Sequence, residues 1–215
     1  MSAELQVRCF TLGPWMTNCY VVALGKRCWI VDAGFDIEPM LDWIERQGLE
    51  PVQVILTHAH VDHIAGLWTV RKRWPDIPIL IHEAEREFPG DAALNLSFAL
   101  ADPIVAPDPT GTLRHGDRLT LVSETGESVM FEVRHTPGHS PGGICLYQPE
   151  HHLAIVGDTL FQNSIGRYDF PGSDGAKLYA SIRDQLMTLP DDTRVLPGHG
   201  PETTIARERE SNPYL

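Results

Sequence analysis

Thr57-His58-Ala59-His60-Val61-Asp62-His63 is the stretch that decides how this chain is read. Four residues able to bind metal ions, His58, His60, Asp62 and His63, fall within six consecutive positions. Val52-Gln53-Val54-Ile55-Leu56 before them reads as a buried strand, and Ile64-Ala65-Gly66-Leu67 after them as a helix start. His58 and His60 are two apart, so a loop can turn both imidazoles toward one ion. Asp62 and His63 point elsewhere and suit a second ion beside the first. Zinc takes imidazole nitrogen and carboxylate oxygen readily, and its catalytic sites keep a position open for water. One loop histidine is usually a solvated side chain; His-x-His-x-Asp-His directly after an apolar strand is a ligand pattern.

The 215 residues suffice for one domain with a sizeable core, and 1–215 is expected to form it. The formal net charge of −12 argues against nucleic acid as a partner, because phosphate binding needs basic surface. No segment is long and apolar enough to span a bilayer, so no membrane role is expected. Met1-Ser2-Ala3-Glu4 lacks the basic start and apolar core of a signal peptide, which makes the cytoplasm the expected compartment. Cys9, Cys19, Cys28 and Cys145 form no Cys-x-x-Cys pair and are expected to be buried free thiols.

Outward from the histidine loop, the chain alternates strands with turns. Val7–Phe10, Cys19–Ala23 and Cys28–Val31 read as strands, the last two as a hairpin around Gly25. A helix capped by Asp36, with Pro39 in its first turn, ends at Gly48. A second runs from about Ile64 to Arg73, and Ile79–Ile81 is a short buried strand. Residues 83–109 read as a helix start followed by a surface excursion. Strands follow at Arg118–Val122, Val129–His135, Ile144–Tyr147, Leu153–Val156 and Val195–Leu196. The last helix, Lys177–Leu189, takes Asp174 as its cap. Hairpins in both halves with helices between them suggest an α+β fold, two mixed sheets face to face with helices outside.

Three later turns repeat the grammar of the first. Strands run into Thr136-Pro137-Gly138-His139, into Gly157-Asp158 and into Pro197-Gly198-His199. Each sets a ligand-type residue just past a strand end, on backbone constrained by proline or relaxed by glycine. Together the four turns supply five histidines and two aspartates, enough for two metals. Cys145 lies inside a strand pattern and is a poor nucleophile candidate. His82, His115, His135, His151 and His152 have no evident partner and read as structural or surface residues.

This set closely resembles the metallo-β-lactamase superfamily, in its small glyoxalase II-like branch. Thr17-Asn18-Cys19-Tyr20, Val31-Asp32-Ala33-Gly34, Thr136 to Gly142, Ser164 to Phe170 and Glu208 to Leu215 add to the resemblance, which covers nearly the whole chain. It implies an αββα sandwich with two divalent ions at one edge, zinc first and iron or manganese as alternatives. By family pattern His58, His60 and His139 hold the first metal, Asp62, His63 and His199 the second, and Asp158 bridges them. Asp62 and Asp158 are then the catalytic carboxylates, and a hydroxide shared by the ions is the nucleophile.

The implied activity is hydrolysis of S-lactoylglutathione or a related small thioester. A leaving thiol with pKa near 8.5 departs as thiolate, so no strong general acid is required. Gly166-Arg167 matches a position that contacts glutathione in glyoxalase II-like proteins; pairing of Arg167 with Asp169 or a carbonyl is the equal alternative. The sequence ends sixteen residues after His199, without the helical domain that full-length glyoxalase II proteins add for glutathione. A mononuclear-iron persulfide dioxygenase, its iron held by two His and one Asp, is the alternative within the same fold. A non-catalytic metal-binding module is the second alternative. A bridging Asp such as Asp158 speaks against β-lactamases, which lack one.

Overall fold

A computed structural model describes residues 3–215. Strand β2 (Thr17–Leu24) shows how its layers arise. All eight of its residues are buried, as in a strand covered on both faces. Cys19, Val21 and Ala23 point to one core, Tyr20, Val22 and Leu24 to another, by the two-residue period of a strand.

The first sheet pairs β1 (Leu5–Leu12), β2, β3 (Arg27–Val31), β4 (Glu50–Ile55), β5 (Ile79–His82) and β6 (Gly111–Leu113) in chain order. Its first three strands are antiparallel, and β3 to β6 run parallel. The second sheet contains β7 (Arg118–Val122), β8 (Ser128–His135), β9 (Ile144–Gln148), β10 (Leu153–Gly157), β13 (Arg194–Pro197) and β14 (Thr203–Thr204), in the order β14-β13-β10-β9-β8-β7. Between β10 and β13 the chain adds a small hairpin, β11 (Leu160–Phe161) and β12 (Ser164–Ile165).

Three apolar clusters stack as layers. Met40, Leu41 and Ile44 of helix α1 (Glu38–Arg46) and Leu67 and Val70 of α3 (Leu67–Arg73) pack on the outside of the first sheet. The central core joins the sheets, with Trp29 and Phe131 in edge contact at 5.4 Å between ring centroids. Leu178 of α4 (Gly175–Ser181) and Ile205 of α5 (Ile205–Ser211) cover the second sheet. The result is the αββα sandwich of mixed sheets expected from the sequence. No helix among the described residues is long and apolar enough to cross a membrane.

Several local expectations need correction. Ile37, not Asp36, is the N-cap of α1, and Asp36 takes a left-handed φ of 52° that leaves its side chain no capping role. The helix expected over 64–73 is two pieces, α2 (Val61–Ile64) and α3, joined at Gly66. A Cβ on Gly66 would press into the Gly34 carbonyl and the Ile37 side chain, and Gly66 N donates to the Ala33 carbonyl (2.8 Å). The first piece begins at Val61, directly after His60 in extended backbone, so Asp62 and His63 lie on a helix. Residues 83–109 form 3-10 turns at Glu83–Glu85 and Ser97–Ala99 and then lead into β6, a strand too short to show a pattern. The helix expected to be the last, over 177–189, begins at Gly175, with Asp174 Oδ1 accepting from Lys177 N (3.1 Å), and widens into a π-turn at Ile182–Leu186; it is followed by α5, which the sequence pattern did not predict. Cys9 is exposed on the edge strand β1, not buried; all four cysteines are free.

Parallel pairing places the chemistry. β3 lies beside β4 and β10 beside β13, so residues after their C-terminal ends emerge at one edge of the sandwich. These residues include Asp32, His58, Asp158 and His199.

Candidate metal centre

All seven ligand-type side chains singled out in the sequence meet at that edge. One ligand atom from each of His58, His60 and His139 lies within 4.8 Å of the other two. The same holds for Asp62, His63 and His199, and for His58, His63 and Asp158. Asp158 sits between the groups. Its Oδ1 is 3.4 Å from His63 Nε2, and its Oδ2 is 3.5 Å from both His139 Nε2 and His199 Nε2. Asp62 Oδ2 lies 3.0 Å from His199 Nε2 and 3.5 Å from His63 Nε2.

The outer ring nitrogens show which atoms face inward. His63 Nδ1 donates to Asp32 Oδ2 (2.8 Å), His139 Nδ1 to the Arg167 carbonyl (2.8 Å) and His199 Nδ1 to the Trp15 carbonyl (3.1 Å). Thr57 Oγ1 donates to Asp32 Oδ2 (2.7 Å), so it accepts from His58 Nδ1 (3.1 Å). In these four rings the Nδ1 proton is therefore fixed outward and Nε2 is the atom that faces the shared space, as in metal-ligating imidazoles. His58 Nε2, His63 Nε2 and Asp158 Oδ1 are shielded from solvent and have no hydrogen-bond partner. Buried polar atoms are rarely left so, and two imidazole nitrogens and a carboxylate oxygen converging beside Asp62 fit cations.

Electrostatics agree. Burial pushes His60 down to about 3, helped by His139, and pushes His58 well below its ordinary value, helped by His63 and His60. Burial alone would lower His63, but Asp62, Asp158 and Asp32 outweigh it and hold it well above the usual range. Burial would likewise raise Asp62 and Asp158, and the neighbouring histidines, His63 foremost, hold both low. The two carboxylates thus call for positive charge between them.

Residues around the cluster hold its loops in place. Asp32, with a left-handed φ of 61°, accepts from Thr57 N (2.7 Å), Thr57 Oγ1 and His63, tying the ends of β3 and β4 together. Thr17 Oγ1 donates to Asp62 Oδ2 (2.9 Å). Asn18 Nδ2 donates to the Pro197 and Gly200 carbonyls, and Tyr20 Oη donates to Pro197 O (2.6 Å), so the Thr17 to Tyr20 segment clamps the turn that carries His199. A Cβ on Gly198 would collide with Asp158 Oδ1 and His63 Cε1. Glu85, fully buried, accepts from Ala59 N (2.6 Å) and Gly142 N (2.7 Å), joining the loop of His58 and His60 to that of His139.

The sequence reading missed the roles of Asp32, Thr17 and Glu85. Asp32 did carry a signal, an acidic residue just past a strand end like the ligands themselves. Glu85 carried none. His82 and His135 stack on each other at 3.8 Å between ring centroids, His151 meets Gln148 and His152 meets Asp192, all away from the cluster. Cys145 is buried and its thiol is pushed up to about 11, chiefly by that burial.

A cavity of about 500 Å³ opens over the cluster. Asp62, His60, His139, Asp158 and His199 reach it from below, and Trp15, Leu96, Phe161 and Phe170 wall it. Arg167 also lines it, its guanidinium paired twofold with Asp169 (2.9 Å for each bond) and lying 4.2 Å from the centroid of the Phe170 ring.

An αββα sandwich bearing five histidines and two aspartates at one edge is the architecture of a metallohydrolase. The chain belongs to the metallo-beta-lactamase superfamily, whose family model matches residues 12–199. A probable metallo-hydrolase, YqgX of Bacillus subtilis, is 40% identical over 204 residues, 95% of this chain and 94% of the relative. Hydroxyacylglutathione hydrolase GloC of Haemophilus influenzae is 33% identical over 193 residues, 88% of each chain. Among solved structures, the BLEG-1 B3 metallo-beta-lactamase matches with a TM-score of 0.89 and 40% identity, covering 98% of this chain and 99% of its own. TTHA1623 in a di-iron-bound form matches with a TM-score of 0.85 and 38% identity, covering 97% and 100%.

Proposed function

We propose that this metallohydrolase is a binuclear thioesterase of the hydroxyacylglutathione hydrolase type, acting on S-lactoylglutathione or related small thioesters. The observation that carries the reading is the set of inward, unpartnered ligand atoms on His58, His63 and Asp158. His58, His60 and His139 would hold one ion, Asp62, His63 and His199 the other, and Asp158 would serve both. Zinc is the first expectation; the di-iron state of TTHA1623 keeps iron open, and manganese suits the same donors. When bound, such a pair supplies an acidified water and polarises a substrate carbonyl.

The chain's own residues do the rest. Asp32, the Arg167 carbonyl and the Trp15 carbonyl keep three imidazoles in one tautomer and one orientation. Asp62 and Asp158 supply the negative charge that offsets the cations. The aromatic walls give the reacting carbonyl apolar surroundings. A thiolate leaving group needs no proton donor, and among the described lining residues no carboxyl, imidazole, thiol or phenol outside the cluster faces the cavity. Arg167 is the candidate contact for a substrate carboxylate, which must compete with Asp169 for it. Residues 1–215 would act as one unit.

The likeness to BLEG-1 favours a second reading, hydrolysis of a β-lactam amide at the same centre. Elemental analysis with parallel assays on S-lactoylglutathione and a chromogenic cephalosporin separates the two. Two metals per chain with thioester turnover supports the thioesterase. Cephalosporin turnover alone selects the lactamase, and one iron with oxygen consumption on a persulfide selects the dioxygenase.

A further inference from the structure

The cavity wall points beyond the reaction to the substrate. Trp15, Val61, Leu96, Phe161 and Phe170 line it, and Arg167 is the one Lys or Arg among its described lining residues. That charge is already matched: both Asp169 oxygens accept from the guanidinium, whose carbon lies over the Phe170 ring. An anionic substrate must therefore displace Asp169 to reach that cation, and a chain of net charge −12 does not favour its approach at long range. An apolar group would displace water from three aromatic surfaces without breaking an ion pair.

From this wall we infer that the preferred substrates are uncharged thioesters with an aromatic or branched apolar acyl group, glutathione thioesters being served less well. The inference rests on the thioesterase reading and specifies its substrate class. The acyl side is assigned because the carbonyl must reach the cluster at the cavity floor. Phe170, whose ring lies 5.6 Å from that of His60 and 6.0 Å from that of His139, and Phe161, whose ring lies 6.1 Å from that of His199, flank that point, and Trp15 lines the same cavity. Water is the co-reactant: the C–S bond breaks, a C–O bond forms, and the products are a carboxylic acid and a thiol.

The test is a matched set of four substrates on the metal-loaded protein. Acetyl and phenylacetyl groups are each esterified to glutathione and to N-acetylcysteamine, with kcat/KM divided by the rate of hydroxide hydrolysis. Phenylacetyl-N-acetylcysteamine is expected to exceed the acetylglutathione value by roughly tenfold or more, mainly through KM. Phe170→Ala and Trp15→Ala should each shrink that ratio. Calorimetric titration with the matching ketone, in which methylene replaces sulfur, should give a negative heat-capacity change that the Phe170→Ala variant reduces. Equal normalised values for the four substrates, or a preference for the glutathione esters that Phe170→Ala leaves intact, would overturn the inference while sparing the thioesterase. No turnover of any thioester would instead reject the thioesterase.

Discussion

Glu85→Gln tests how the two halves of the centre are held together. The carboxylate is fully buried and accepts from Ala59 N at 2.6 Å and from Gly142 N at 2.7 Å. Gln has the same shape, but one of its ends is a donor and faces an N–H. One hydrogen bond to a charged group is lost, about 1.5–3 kcal/mol, and one buried N–H loses its partner. Against this, burial pushes the Glu85 carboxyl up, and the neutral amide escapes that cost. The net expectation is a loss of about 2 kcal/mol, a fall of roughly 4–8 °C in Tm for a chain of this length. The two tethered loops carry His58, His60 and His139, so an ion bound there should suffer more than one bound at Asp62, His63 and His199. Supporting hydrogen bonds of this sort affect metal affinity by roughly 10–100-fold. Thermal melts of chelator-treated protein measure the first effect, and competition with a chromophoric chelator resolves the two binding steps for the second. A Gln variant that melts with the wild type and binds both metals equally would refute the clamp.

Asp158→Asn keeps the shape but removes the charge shared by both halves of the cluster; at least one metal and most activity should be lost with the circular dichroism unchanged, and wild-type turnover would sink the bridging assignment. Gly198→Ala puts a Cβ into the space of Asp158 Oδ1 and His63 Cε1. Metal content by elemental analysis should fall, while a full complement would show that the turn yields instead. His82 is held at about 4, below its ordinary 6.5, by burial and by the stacked His135, with Glu83 and Asp117 opposing and Arg114 assisting. The fold keeps it neutral and the unfolded chain protonates it, so its share of stability is complete above about pH 6.5 and is lost as pH falls to about 4. Urea midpoints of metal-free His82→Phe should consequently decline less than those of the wild type across that window, and parallel curves would contradict the shift.

The sequence alone determined the layers and picked out the seven ligand-type residues that meet at one edge, because both are written in local patterns. Apolar runs of strand length and strand-end turns such as Pro137-Gly138-His139 and Pro197-Gly198-His199 need no distant partner to be recognised. The seven ligand-type residues were legible for that reason, and so was the Asp174 cap. Elements set by long-range contact were not. Gly66 breaks a helix only because the Gly34 backbone crosses it, and β6 is a strand only because β5 offers it an edge. The Thr17-Asn18-Cys19-Tyr20 motif was visible, yet its clamp on the His199 turn spans about 180 residues of chain. Glu85 is the extreme case. Its environment comes from two loops on either side of it in sequence, and a lone acidic residue in an irregular segment gives no hint of burial. Tertiary structure likewise decided that Arg167 meets Asp169 and not a carbonyl at the cavity wall, because only the folded loop fixes which acceptor lies within reach.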